Sequence, residues 1–508
     1  MTITRRSVIT GAAAAGAALT LSEVRVAAAP TPAVRTRYNA TTPQGKAMLV
    51  KYGQAVTKMK ALPKADPLNW DFQWYTHWIP GADAWQPSQP IKAQMINTVF
   101  AGTPPNDPHR LLAKAMWDTC QAHANNPNDP NDFQQLFFLP WHRFFVYYFE
   151  EIIRKVLNDD TFTLPYWNYL TSTANDRIMP PEFRDPQNPL FVQNRNAWVN
   201  AGKRIDSDPS VTPINNQCFR ESKYIRFCGA IDANPHGAVH VDVGTETNMG
   251  DVPTAAQDPI FWVHHCEIDR LWESWNRVAA HKNPVWPDRS FVYADANGNS
   301  VIRKCKDANR VALLGYQYDN YYISPFAPAR LPAAAPAAAL AAAASVQETT
   351  RAVANGPLQL SPGGSRITMQ PPPALALPNA NGVEAAAALK PLFQVAPGQQ
   401  LYLVLGNIQI PNKIATGVNI YLDLPEGQKG QGPSDVHYVD TLNFFGIHVR
   451  EPNGSHAADH QRTFNVTEVV KALQAKGLLT PTPTVTAEPA GELGGGVPVI
   501  GRVSLVAG

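Results

Sequence analysis

Histidine is the residue whose placement in this chain asks for a chemical explanation. Seven of its 13 copies fall into two groups: His77, His123 and His142, then His236, His240 and the adjacent pair His264/His265. His142 stands in FLPWHRFFVYYFE (138–150), and the adjacent pair in DPIFWVHHCEIDRLWESW (258–275). An imidazole among so many apolar and aromatic neighbours costs free energy unless its nitrogens are engaged. His236 and His240, four apart in PHGAVH, share one face of a helix. That spacing alone is weak, because a solvated pair is its default reading. Each group, however, supplies three imidazoles, the number suited to a metal that keeps positions open for substrate.

The donor set narrows the metal. The five cysteines are scattered, which excludes a thiolate zinc site and a disulfide framework. A zinc hydrolase would place a carboxylate among the ligands, as in HExxH. Asp242, the nearest acid to His240, points elsewhere on the helix. All-nitrogen ligation favours copper, and two such sites facing each other across a helical bundle would form a dinuclear centre.

The elements that must position these residues are helical. Apolar positions Phe144, Phe145, Tyr148, Phe149, Ile152 and Ile153 recur at spacings of three and four, which predicts a helix over 138–157 entered through Pro140, with one broad buried face. Further helices are expected over 42–62 (ended by Pro63), 108–123 and 258–280, and residues 158–235 read as loop-dominated. Beyond Pro325 the composition changes. A linker rich in Ala and Pro covers 326–355, and strand-like alternation follows at 400–405, 417–423, 444–449 and 497–506. The expected fold class is therefore a mainly α catalytic domain over 29–325, a four-helix bundle with many loops, followed by an all-β sandwich or barrel over 356–508.

Residues 1–28 read as an address. Arg5-Arg6 precedes a short Ala/Gly-rich apolar run and a small-residue exit at Val26-Ala27-Ala28, the pattern of a twin-arginine signal that exports folded bacterial proteins to the periplasm or beyond. The run is too short to span a membrane. Charged residues make up 17% and the net charge is +2, so nothing argues for nucleic acid or an anionic membrane surface as partner. In an exporting compartment Cys218 and Cys228 are candidates for a disulfide.

LPWHRFFVYYFE and DPIFWVHHCEIDRLWESW, with PHGAVH between them, resemble the two copper-site signatures of the type-3 copper family: tyrosinases, catechol oxidases and molluscan-type haemocyanins. The resemblance covers roughly residues 35–325. It implies two copper ions, each held by three histidines in a four-helix bundle, with dioxygen bound between them. Carried over by position, His77, His123 and His142 would hold the first copper, and His236, His240 and His265 the second. His264 would be a packed neighbour, a choice that rests on the resemblance alone. His123 lies 19 residues before His142, farther than the family's usual spacing, so the polar loop between them reads as an insertion.

The resemblance further implies oxidation of o-diphenols to o-quinones by dioxygen, together with ortho-hydroxylation of monophenols in some members. The alternative is reversible dioxygen binding without turnover, as in haemocyanin. Hydroxylating relatives pair an upstream acid with an Asn after the first histidine of the second copper site, to hold a water. Here those positions are Asp232 and Gly237, which tilts the expectation towards diphenol oxidation. Val241 and Val252, at positions that shape the mouth, are small and predict an open site for substituted or bulky phenols. The C-terminal part loosely resembles the β-domain that latent relatives lay over the active site, and Tyr316-Gln317-Tyr318 a motif that closes the catalytic domain, with Arg35 or Arg37 stacked on it.

Overall fold

The structure, a computed structural model, describes residues 34–77, 98–121, 134–326, 348–372, 392–447 and 460–508. The expected signal segment 1–28, His123 and most of the expected linker lie outside these residues. The first described region is built on helices α1 (Pro43–Lys60), α2 (Trp70–Tyr75), α3 (Pro108–Thr119), α4 (Gln134–Leu157), α5 (Tyr224–Ile231), α6 (Ala238–Val243) and α7 (Ile260–Asn276). Thr42 caps α1 by accepting from the Gly45 amide at 3.1 Å, and Pro43 occupies the first turn, where its missing N–H costs nothing.

Helix α4 corrects the sequence expectation twice. It starts at Gln134, so Pro140 lies inside the helix instead of opening it. Proline cannot donate to the carbonyl four residues back, and the Tyr224 hydroxyl does so instead, bonding the Leu136 carbonyl at 3.0 Å. The helix is also buried on nearly all sides between Phe137 and Phe149, not along one face. Helices α1, α5 and α7 pack around it. Trp262 of α7 stacks on Phe149 of α4, with ring centroids 3.5 Å apart at 13°. Every residue of α7 from Ile260 to Trp275 is buried. These two long helices form the frame. The other histidine carriers among the described residues are short segments, and the expected four-helix bundle is not confirmed.

Short strands tie the region's ends together. Strand β1 (Arg35–Arg37) runs parallel to β4 (Tyr316–Tyr318), while β2 (Ser290–Ala294) and β3 (Ser300–Lys304) form a hairpin. Arg37, not Arg35, lies 3.9 Å over the Tyr316 ring. Its guanidinium pairs with Glu150 at 2.9 Å and Asp269 at 3.3 Å. Asp269 also pairs with Arg143 and accepts from the Tyr316 and Tyr318 hydroxyls at 2.6 and 2.5 Å. Burial opposes the Asp269 charge, but both arginines outweigh it and hold the carboxyl below its usual range.

The C-terminal region is one antiparallel sheet with its own hydrophobic core. Its strands are β5 (Thr349–Ala354), β6 (Leu358–Gln359), β7 (Ser365–Gln370), β8 (Leu401–Gln409), β9 (Val418–Leu422), β10 (Tyr438–Leu442), β11 (Arg462–Asn465), β12 (Thr484–Pro489) and β13 (Val499–Ala507). The order β10-β9-β12-β7-β5-β13-β8-β11, with β6 on β13, brings β10 and β11 back into contact, so the sheet is a nearly closed barrel. Three corrections follow. The domain starts at Thr349, inside the expected linker, because 349–354 pairs with β13 and β7. It is not all-β, since α8 (Thr467–Ala475) packs Val470 and Leu473 into its core. The apolar run from Phe444 is a turn, and the strand is the preceding Tyr438–Leu442.

Candidate metal centre

His142 sits in the third turn of α4, where the Phe138 carbonyl accepts from its Nδ1 at 2.9 Å. His77 follows the C-terminus of α2, and its Nδ1 donates to the Val252 carbonyl at 3.1 Å. A carbonyl only accepts, so in both rings Nδ1 carries the proton and Nε2 the lone pair. The two Nε2 atoms face each other at 3.3 Å. Lone pairs opposed at that distance repel unless a cation lies on both. Protonation is disfavoured: burial pushes His77 down to about 3 and His142 well below its ordinary value.

The second group gathers from α6, α7 and the irregular turn before α6. The turn Asp232–Gly237 is a π-helical segment, kinked at Asn234 (φ −151°, ψ 123°), so His236 and His240 do not share one regular helix as their spacing predicts. The kink still leaves their ring centroids 4.6 Å apart. The Met249 carbonyl fixes Nδ1 of His240 at 2.7 Å, and Asp232 Oδ1 that of His236 at 3.0 Å. Four ligand nitrogens, one each from His236, His240, His264 and His265, lie within 4.8 Å of one another. Nε2 of His240 and of His264, and both ring nitrogens of His265, are buried without a hydrogen-bond partner. Such orphans are rare unless something else ligates them. His264 Nδ1 faces the Tyr169 hydroxyl at 3.0 Å. His265 stacks on His142 at 4.3 Å and 11°, which joins the two groups into one site. Phe261 wedges between them, 4.1 Å from His265 and 4.8 Å from His77 between ring centroids. This donor set fits soft or borderline cations that take imidazole nitrogen, copper foremost.

The remaining expected residues divide. His123 lies in the segment outside the described residues, so its position is not part of this geometry. Asp232 orients His236; burial opposes its charge, but the bond from His236 holds the carboxyl below its usual range. Val241 and Val252 line a cavity of about 390 Å³ beside the site. Gly237 is buried against residues from the C-terminal region, with no space for a side chain. None of the five cysteines is in a disulfide, so the expected Cys218–Cys228 bond is not formed.

Three contributors were not legible in the sequence. Phe445, in the turn after β10, stacks on His240 at 4.1 Å and 12° and meets His236 edge-on at 5.5 Å. Asn443 anchors the same turn by donating to the Ala233 carbonyl at 2.8 Å, and Arg462 donates to the Phe445 carbonyl at 2.6 Å. The apolar alternation around Phe444 read as strand, which hid a side chain aimed at the histidines.

The common central domain of tyrosinase matches residues 69–224 and 187–278, and a domain of unknown function (DUF7868) matches 355–508. The chain is 33% identical over 316 residues to the tyrosinase HcTyr1 of Hahella sp. (strain CCB-MM4), covering 55% of this chain and 62% of that one. It is 24% identical over 395 residues to a chloroplastic polyphenol oxidase of Malus domestica, covering 67% and 62%. The match thus spans less than two thirds of each of these relatives. The fold is shared with the structure of latent apple tyrosinase at a TM-score of 0.60 and 20% identity, over 95% of this chain and 98% of that one. Among the described residues no helix is long and apolar enough to cross a membrane. A tyrosinase central domain, a buried histidine cluster and a shared two-part fold lead to one assignment: residues 69–278 carry the common central domain of tyrosinase, followed by an additional C-terminal domain.

Proposed function

We propose that the chain is a copper-dependent phenol oxidase, converting o-diphenols and dioxygen to o-quinones and water, and that its C-terminal domain holds it latent. The observation that carries the reading is the pair of opposed lone-pair nitrogens on His77 and His142, joined through stacked His265 to a second cluster with unpartnered nitrogens. His77 and His142, with His123, would hold one copper; His236, His240 and His265 would hold the other. Bound copper supplies dioxygen activation and accepts the electrons of the phenol.

The chain's own residues do the rest. The carbonyls of Phe138, Val252 and Met249 and the Asp232 carboxylate lock the tautomers that keep Nε2 free. Phe261, Phe138 and the α4–α7 frame keep water from the histidines. With Asp232 committed to His236 and Gly237 lacking a side chain, no side chain in this pair holds a water for phenol deprotonation, which favours diphenols over monophenols. The leader-like segment 1–28 supports export of the folded chain.

Latency follows from Phe445. Its ring covers His240, and two solved structures that share this fold, a latent apple tyrosinase and a latent aurone synthase, are likewise latent forms. The test is oxygen uptake with catechol by the copper-loaded full chain and by Phe445→Ala. Two coppers per chain and a rate at least about tenfold higher in the variant, the equivalent of about 1.4 kcal/mol, are expected. Reversible oxygenation without quinone in both proteins would move the reading to a dioxygen carrier.

A further inference from the structure

The 390 Å³ cavity beside the metal centre has walls from both regions of the chain. Val241 and Val252 face it from the catalytic side, and Ile410, Ile414, Phe444 and Ile447 from the C-terminal domain. Phe445 also lines it while stacking on His240, so one aromatic ring separates the cavity from the histidines. The volume lies at the small end of ligand pockets, about 300–1,000 Å³, which suits one aromatic ring with a short chain. At the rim Lys413 of the C-terminal domain pairs with Asp251, cancelling both charges. Glu246 and Glu492 line the same cavity, and neither has a basic partner among the described residues.

We propose that this interdomain cavity is a substrate vestibule that selects single-ring phenols bearing a cationic chain, arylalkylamines, over phenols bearing a carboxylate. This rests on the phenol-oxidase reading above and assigns the C-terminal domain a role besides latency. Its wall is half of a binding site, and Phe445 is the gate between that site and the metal centre. The apolar walls take the ring, and the two unpaired rim carboxylates attract an ammonium and repel a carboxylate. Once the gate swings aside, a ring held here is already beside His240.

The test reads binding in the copper-free full chain by calorimetry, with tyramine and 3-(4-hydroxyphenyl)propionate as the two probes. Tyramine is expected to bind at least about fivefold tighter than the propionate, with the difference shrinking as salt rises. Ile414→Trp, which fills the cavity, is expected to abolish binding of both. Should that variant not fold, the surface pair Glu246→Gln with Glu492→Gln, which leaves the walls intact, is expected to remove the preference while a ring still binds. No binding of either probe, or equal affinities in the parent chain, would overturn the vestibule. Because copper is absent from these measurements, tyramine binding in a chain that oxidises no phenol when loaded supports the vestibule and overturns the oxidase reading. Catechol oxidation by a chain that binds neither probe does the reverse.

Discussion

Gly237 is where the chemistry of the site and the seating of the C-terminal domain meet. A Cβ built on it would lie 2.9 Å from Asn443 Oδ1 and 3.4 Å from the Phe445 Cβ. The missing side chain therefore does two things: it leaves no group there to hold a water, and it makes room for the turn that carries Phe445. Gly237→Ala should loosen that turn without touching a metal ligand. Overpacking of this kind costs about 1–3 kcal/mol, so the full-length variant should oxidise catechol about tenfold faster or more. An unchanged rate with unchanged copper content would show that the turn yields without cost. His264 and His265 make a second contrast between neighbours. His264 bonds the Tyr169 hydroxyl through Nδ1 and keeps an unpartnered Nε2, whereas both nitrogens of His265 are unpartnered and its ring stacks on His142 of the first group. His265→Ala should lose one of two coppers by metal analysis, and His264→Gln should keep both; the opposite pattern would exchange their roles.

The elements show which parts of this architecture a sequence can carry. The helices bearing His142 and His265 were legible because each of these histidines sits in a run of aromatic and apolar residues with helical periodicity. The kink between His236 and His240 was not, because periodicity reports the side chains and Asn234 breaks the backbone beneath them. The Phe444–Ile447 turn was misread for a related reason: an apolar cluster reads the same whether it faces its own sheet or another domain. The start of α4 was hidden by Pro140, ordinarily a first-turn residue. Its interior position is tolerated because Tyr224 of α5 bonds the Leu136 carbonyl that proline leaves free. Tyr224→Phe would leave that buried carbonyl unpaired, at a cost of about 1–3 kcal/mol. A lower thermal midpoint is the expected outcome, and an unchanged one would mean that the carbonyl finds another donor.

At the scale of the whole molecule, the seam between catalytic region and barrel carries two buried carboxylates. Asp440 of β10 accepts from Asn215 across the seam at 3.1 and 3.2 Å and from the Thr441 amide at 2.8 Å. Glu221 of the catalytic region accepts from Tyr402 of β8 at 2.8 Å and Asn465 of β11 at 3.0 Å. Burial raises both carboxyls, Asp440 to about 6, and the bonds to these donors only partly offset it. If the barrel lifts away, each becomes solvated and returns towards the ordinary range near 4. The sign then follows. Below that range both states are protonated and pH has no effect through these groups. As pH rises towards 6, the lifted state ionises first and docking loses free energy. Above about 6 the loss is complete, at most about 3 kcal/mol for Asp440. Latency, read as the rate of Phe445→Ala divided by that of the parent chain, should therefore be larger at pH 5 than at pH 7.5. Asp440→Asn, which keeps the shape but cannot ionise, should flatten that dependence. A ratio that is constant with pH in the parent chain would show that the seam stays closed while these carboxylates ionise.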